Sequence, residues 1–290
     1  MKKISAIDIG TNSVKHRMFE YDNKSNNLNE ISHLRMRYAL GLGRDIYSKK
    51  HKKIRQKSIR RLGKILKKFE KTINLYDVDY VRACATAAFR QASNQELILD
   101  QLSDYSSIPI EIIDGVEEVK LISKLDISQF NPDMNYFIVD VGGGSTEVLL
   151  KKKNECIDSK SFPVGALSIH YLGKKGFSKE WSNIVDWLNK FKGNDISQII
   201  GTGGGIRSLF KVKKEKSLPL KEFDLILKKI NGLTKSEIIK KYNIRPDRAK
   251  LISKSGMIYS NIANELNIKK ISVIPWGLVE GIAYSLVKKK

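Results

Sequence analysis

Three short turns in the sequence are built from the residue types that hold phosphate. Gly10-Thr11-Asn12-Ser13, Gly142-Gly143-Gly144-Ser145-Thr146 and Gly201-Thr202-Gly203-Gly204-Gly205 each combine glycine with hydroxyl side chains or with further glycines. Glycine lets the backbone approach an anion and aim several N–H groups at it, and Ser and Thr hydroxyls add donors. The candidate phosphate-binding residues are Thr11, Asn12, Ser13, Gly143, Gly144, Ser145, Thr146, Gly203 and Gly204. None of the turns has the GxxxxGK[ST] pattern of a P-loop, and none has GxGxxG opening a helix. Asp8 and Asp140 head the first two turns from a strand end.

Carboxylates and one arginine supply the rest of the chemistry. Asp140 and Glu147 bracket the second turn, where carboxylates hold Mg²⁺ or a water, or simply cap a hairpin. Glu117 and Glu118 open a helical stretch after Gly115. Helical projection places Glu117 with Lys120 and Lys124, as a solvated residue, and Glu118 with Leu121, Ile122 and Leu125. A carboxylate on a packed face has raised proton affinity and is suited to base catalysis; the alternative is a charge favouring the helix dipole. Arg90 follows Thr86-Ala-Ala-Phe at a helix start and suits bidentate phosphate contact, or an ordinary surface ion pair.

The elements that must position these groups read as two α/β halves. Strands are predicted at 3–9, 14–21, 28–36, 79–84 and 108–113, with a glycine-bearing loop at 37–46. The clearest helix is 51–73, where Leu62, Ile65, Leu66, Phe69 and Ile73 share one face and Lys and Arg crowd the other. Further helices are expected at about 85–104 and 116–125. Asn131-Pro132-Asp133 reads as a linker, and 123–133 as a hinge. A second half then opens with strands at 136–141, 146–151 and 155–162. Helices follow near 165–173, 180–192, 206–212, 220–230, 234–241 and 246–266, with strands at 197–201 and 270–274 and a last helix at 277–288. The strand–turn–strand theme around Asp8 and Asp140 repeats, so the halves read as two related domains facing each other across a ligand cleft. The boundaries are 1–125 with the C-terminal helix 278–290 returning to it, and 126–277.

Composition bounds the partners. The 290 residues are 41% hydrophobic, enough for a substantial core. The 53 Lys and Arg against 31 Asp and Glu leave a net charge of +22, a field that concentrates polyanions. Nucleic acid, an anionic membrane surface and a phosphate polymer all fit, as does a lysine-rich solvated surface. No dedicated nucleic-acid readout pattern is present. Cys84 and Cys156 form no CxxC and lie far apart, so a reducing, cytoplasmic setting is the default. The opening residues do not read as a signal peptide, and no apolar run suits a transmembrane helix.

In their order along the chain, AIDIGTNSVK (6–15), ATAAFRQASN (85–94), DGVEEVKLI (114–122), VDVGGGSTE (139–147), GTGGGIRSL (201–209) and WGLVEG (276–281) resemble the exopolyphosphatase / guanosine pentaphosphate phosphatase (Ppx/GppA) family. The similarity runs over essentially the whole chain. It implies two actin-like (ASKHA, ribonuclease H-like) domains and Mg²⁺-dependent (or Mn²⁺-dependent) release of terminal phosphate. The substrate would be inorganic polyphosphate or pppGpp, the nucleotide of the stringent response. By position, Glu118 matches the family's catalytic glutamate, Asp140 and Glu147 its acidic pair near metal and water, and Arg90 its phosphate-contacting arginine. Thr11, Asn12 and Ser13 match its first phosphate turn and Gly143 to Thr146 its second.

The sequence also departs from the family. His16 and Arg17 stand where apolar residues are usual, Gly205 where Thr is frequent, and Ser168 and Val279 where Arg is usual. The C-terminal helical extension of longer members is lacking, so a short, two-domain form acting as monomer or homodimer is expected. Exopolyphosphatase is the first reading and pppGpp 5′-phosphohydrolase the second. A sugar-kinase-type phosphotransferase and a non-catalytic polyanion-binding protein complete the alternatives; ATP dependence would mark the former, binding without phosphate release the latter.

Overall fold

A computed structural model describes residues 1–25, 27–48, 51–153 and 155–287, the side chain of Lys174 excepted. Residues Met1–Leu125, joined by the segment from Leu278 on, form one unit; Asp126–Gly277 form the other.

The first unit starts with β1 (Lys2–Ile9), whose alternation buries Ile7 and Ile9 on one face and Ile4 and Ala6 on the other. The turn at 10–12 returns the chain as β2 (Ser13–Asp22), antiparallel to β1 with Asp8 opposite Lys15. The stretch expected as one strand at 28–36 divides into β3 (Asn27–Glu30) and β4 (Met36–Ala39), which pair with successive parts of β2. The corner between them is stapled by Glu30, which accepts from Arg35 at 2.8 Å and from Arg17 at 3.3 Å. The loop expected at 37–46 contains β4 and a short helix, α1 (Gly43–Tyr47).

The basic amphipathic helix is α2 (Gln56–Leu75); its apolar face, with Leu62, Leu66 and Phe69 fully buried, packs in one core with Ile7, Ile9 and Val14. Parallel strands β5 (Tyr80–Ala85) and β6 (Ile110–Ile112) extend the sheet beyond β1. The helix expected at 85–104 is two: α3 (Ala87–Arg90) and α4 (Gln95–Ser103). Between them Asn94 exchanges hydrogen bonds with the Ile54 backbone, both at 3.1 Å, which competes with helical bonding. Helix α5 (Gly115–Ser123) follows, its first turn capped by Asp114, whose side chain accepts from the Glu117 amide at 2.8 Å.

The second unit repeats the plan. β7 (Asn135–Val141), β8 (Thr146–Lys152) and β9 (Glu155–Phe162) are antiparallel. Helix α6 (Ser168–Leu188) covers the two helices expected at 165–192, interrupted at Gly173 with φ of 65°. β10 (Gln198–Thr202) lies parallel to β7, and α7 (Gly204–Phe210) leaves it. An unanticipated edge strand, β11 (Ser217–Pro219), precedes α8 (Leu220–Asn231) and α9 (Lys235–Tyr242). The helix expected at 246–266 breaks into α10 (Pro246–Ala249) and α11 (Ile252–Glu265) before β12 (Lys270–Val273). Helix α12 (Leu278–Ser285) closes the described chain and belongs to the first unit.

Strand order is β3-β2-β1-β5-β6 in one sheet and β9-β8-β7-β10-β12-β11 in the other. In each, three antiparallel strands are followed by two parallel ones, the actin-like, ribonuclease H-like arrangement. No helix among the described residues is long and apolar enough to cross a membrane.

The unusual pair His16 and Arg17 serves opposite faces of β2. His16 is fully buried, stacks on Phe69 with ring centroids 4.8 Å apart, and bonds Ser5 Oγ through Nε2 at 2.8 Å. Arg17 pairs with Glu280 of α12, a carboxylate fully withdrawn from solvent. Neighbouring Gly281 lies so close to the Leu121 backbone that a Cβ there would collide with it. The ion pair therefore stands where α12 packs on the sheet. Glu280→Ala would leave the Arg17 charge buried with, among the described residues, only the longer Glu30 contact. It should cost about 3–5 kcal/mol in urea unfolding.

Burial lowers the His16 pKa from 6.5 to about 4. The unfolded chain protonates near 6.5, so the group's contribution is complete above that pH and is lost as pH falls toward 4. Between pH 7 and pH 5 this costs the native protein about 2 kcal/mol. His16→Leu should lose less stability by that amount over the same interval, measured by urea unfolding at both pH values.

Candidate active site

Both antiparallel turns at the strand ends are closed by the same hydrogen bond. The Gly10 amide donates to the Ser13 carbonyl at 3.1 Å, and the Gly142 amide to the Ser145 carbonyl at 2.9 Å. In both, the inner carbonyls are then occupied by amides from a following segment. Thr11 O accepts from Gly43, and Asn12 O from Leu40 and Gly41, at 2.9–3.2 Å. Gly142 O accepts from Ala166, and Gly143 O from Leu167 and Ser168, at 2.8–3.0 Å. The LGLG segment (40–43) is thus the brace of the first turn. Gly165 is its counterpart: a Cβ there would lie 2.6 Å from Gly143 C and Gly144 N.

The side chains in these turns divide by role. Thr11 and Ser13 are buried and Asn12 is half-buried. Gly143 is half-buried, and Gly144 and Ser145 are buried. Thr146, expected to offer its hydroxyl to phosphate, is fully enclosed and donates it to Val164 O at 2.5 Å, so it fixes the turn instead. Ser168 likewise faces inward, its hydroxyl within 2.8 Å of the Gly165 amide and 3.1 Å of the Gly165 carbonyl. Val279 is buried on α12. The two positions where arginine is usual therefore contribute packing and no charge.

In the first unit the parallel strand ends lie side by side: the Thr86 amide donates to Ile9 O at 3.2 Å and the Ile113 amide to Ala85 O at 3.0 Å. The first turn, the segment leading to Arg90 and the start of α5 all issue from this carboxyl edge, where ligands of α/β sheets bind. Arg90 Nη1 donates to Glu118 Oε2 at 2.6 Å and to Ile113 O at 2.9 Å. Glu118 is 5% exposed. The structure thus brings Arg90 and Glu118 into contact as one unit, which neither residue's sequence context announced. Beside them Tyr47 is held protonated, its pKa pushed up to about 12 by burial. Glu117, expected in solvent with Lys120, also bonds Arg82 at 3.1 Å.

Asp8 is buried against Lys15, Oδ2 to Nζ 2.6 Å. At the matching register of the second unit Asp140 faces Glu147. One strand-end pair is thus a salt bridge and the other is two carboxylates, Asp140 9% and Glu147 1% exposed. Ser161 Oγ donates to Glu147 at 2.8 Å. Asp140 also touches the third turn: Gly203, with φ of 87°, packs so closely on its carboxylate that a Cβ would collide with it. Gly204 lies under the Arg248 guanidinium, and Gly205 leaves the room that Ser255 fills. Ser255 explains why Thr cannot stand at Gly205. Among the described residues no group of three or more His, Cys, Asp or Glu is gathered for a metal. Mg²⁺ commonly takes only one or two carboxylates and completes its shell with water and phosphate oxygens, and Asp140 with Glu147 meets that need.

A model of the Ppx/GppA phosphatase family matches residues 21–290. The chain belongs to the Ppx/GppA phosphatase family. Among solved structures, an exopolyphosphatase from Cytophaga hutchinsonii is 23% identical with a TM-score of 0.84, covering 98% of this chain and 97% of that one. The Aquifex aeolicus member of the Ppx/GppA family is 23% identical with a TM-score of 0.77, at the same coverage. At these identities the likeness establishes the fold. A curated relative, a bifunctional 3-dehydroquinate synthase/phosphatase of Fusobacterium nucleatum, is 27% identical over 81% of this chain; the match spans 37% of that relative's length.

The brace of the second Ppx/GppA turn gives a direct test. Gly165→Ala pushes a methyl group into backbone that has no side chain to move aside. It should cost about 1–3 kcal/mol in urea unfolding and lower phosphatase activity at least tenfold. Gly193→Ala, at a φ of 85° with no atom within 4 Å, should keep full activity.

Proposed function

We propose that this Ppx/GppA member is an exopolyphosphatase, releasing orthophosphate from the end of inorganic polyphosphate. The observation that carries the reading is the Arg90–Glu118 pair, a buried carboxylate oriented by a guanidinium at the strand edge that also bears the first glycine turn. In this reading Glu118 accepts a proton from the attacking water. The water oxygen bonds the terminal phosphorus in line as the bridging P–O bond breaks, and the shortened chain leaves with the bridging oxygen. Arg90 holds the Glu118 carboxylate and spreads positive charge toward the phosphate. Thr11, Asn12 and Ser13, with Gly143, Gly144 and Ser145, are assigned to the phosphate oxygens, and Gly203 and Gly204 to the third turn's share. Little covalent work falls to the protein, so positioning and charge neutralisation lower the barrier.

Mg²⁺ or Mn²⁺ on Asp140 and Glu147 would neutralise charge on the phosphate oxygens. The +22 net charge favours a polymeric anion over a single nucleotide. Hydrolysis of pppGpp by the same groups is the second reading, supported by the family alone.

Phosphate release from long-chain polyphosphate, with Mg²⁺, should fall by about 10²–10⁴-fold in Glu118→Gln with KM little changed. Release from pppGpp but not from polyphosphate would transfer the assignment to the second reading. Release from neither, with salt-sensitive polyphosphate binding retained, would leave a binding protein.

A further inference from the structure

A line of charge on α2 has no part in the site described above. Lys57, Arg60, Lys64, Lys67 and Lys71 recur at spacings of three and four residues and are all exposed. Residues so spaced stand above one another on a helix. At 1.5 Å per residue they form a row of cations about 21 Å long. Both flanks of the row are engaged. On one side Arg61 donates to Ala39 O at 3.5 Å, and Lys68 stands over the Tyr38 ring, 5.7 Å from its centroid. On the other, the single carboxylate of α2, Glu70, accepts from the amide and the hydroxyl of Ser107 at 2.7 and 2.5 Å. Glu70 is thereby drawn away from the row it could have neutralised.

The two ends of the row have different neighbours. The start is tied to the first glycine turn. Helix α1 opens at Gly43, whose amide bonds Thr11 O, and the buried Asp45 of α1 accepts from the Arg55 amide at 3.2 Å and the Ser58 hydroxyl at 2.5 Å. The far end is tied to the start of β1. Lys3 Nζ donates to Tyr76 O at 2.9 Å, and the Asp79 amide donates to Lys3 O at 2.9 Å. Helix α2 therefore crosses the sheet from the carboxyl edge of β1, which bears the first turn, to the opposite edge. The row of cations leads away from the candidate site.

Four of the five residues are lysines, point charges that attract an anion without the fixed fork geometry of arginine. A row of such charges matches a linear polymer with a negative charge on every repeat, and lets that polymer shift along its own axis. The apolar face of α2, with Leu62, Leu66 and Phe69, is buried in the core. That removes the side chains an interfacial helix would sink into a bilayer.

We propose that the exposed row on α2 is a holding site for inorganic polyphosphate: it binds the part of the chain that trails from the end being cut, and so sets a preference for long chains. The proposal rests on the exopolyphosphatase reading, and none of its five residues is assigned to phosphate release.

The test compares the full native chain with Lys64→Gln/Lys67→Gln/Lys71→Gln, which removes charge from exposed side chains and keeps helix propensity. Phosphate release with Mg²⁺ is measured on long-chain polyphosphate and on tripolyphosphate. The variant should raise KM for the long chain tenfold or more with kcat unchanged, and should match the native chain on tripolyphosphate. Long-chain binding, titrated by calorimetry in EDTA so that no metal supports cleavage, should weaken by a similar factor. The dependence of log Kd on log salt should flatten by about 2, as the loss of three contacts to a single-stranded polyanion gives. Equal long-chain kinetics and binding in the two proteins would overturn the proposal, as would an equal loss on tripolyphosphate. Tighter binding of duplex RNA than of polyphosphate of the same total charge would also overturn it, making nucleic acid the partner of this face. If the native chain releases phosphate from neither substrate, the exopolyphosphatase reading fails by itself; the titration in EDTA then still decides whether α2 holds the polymer.

Discussion

A glycine turn can present its N–H groups to an anion only if its own carbonyls are satisfied elsewhere. In this protein that constraint is met by one hydrogen bond across each turn and by amides from a segment far along the chain. The Gly10 and Gly142 bonds close the turns. Residues 40–43 and 165–168 then take up the carbonyls, so the turns cannot collapse onto themselves. The requirement reaches outward. It calls for glycine at 165, where no Cβ fits, and sends the hydroxyls of Thr146 and Ser168 inward. It also makes the loop after β4 part of the site rather than a connection.

The electrostatics follow from the register of the strands. Asp8 and Asp140 occupy equivalent strand ends, yet one meets Lys15 and the other Glu147. The first pair closes on its own opposite charges, whereas the second sets two carboxylates at one register. The residue opposite each strand-end aspartate, Lys15 in one unit and Glu147 in the other, thus separates a salt bridge from a pair of carboxylates. The Arg90–Glu118 pair is likewise set by tertiary contact: one guanidinium nitrogen of Arg90 donates both to the Glu118 carboxylate and to the Ile113 carbonyl.

The positions that depart from the family pattern are absorbed by packing. His16 stacks on Phe69 in the core, kept neutral by its burial, and Arg17 ties β2 to α12 through Glu280. Ser255 occupies the space that a larger residue at 205 would need. A buried ion pair adds little net stability, since taking both charges out of water offsets their attraction, yet removing one member is costly because the other is left uncompensated.

The sequence by itself determined the strand–turn–strand repeats, the apolar face of α2, the placement of Glu118 on a packed helix face and the family. These rest on local alternation, helical periodicity and contiguous motifs, all of which are written along the chain. Where the chain breaks was less legible: the interruptions after Arg90, at Glu30 and at Lys250 depend on distant partners such as Ile54 and Arg17, or on none that periodicity registers. Only the tertiary structure decided that Arg90 holds Glu118, that Lys15 neutralises Asp8, and that Leu40 to Gly43 brace the first turn. Each of those contacts joins residues on different elements. Their distance is set by sheet register and helix packing, which no single stretch of sequence contains.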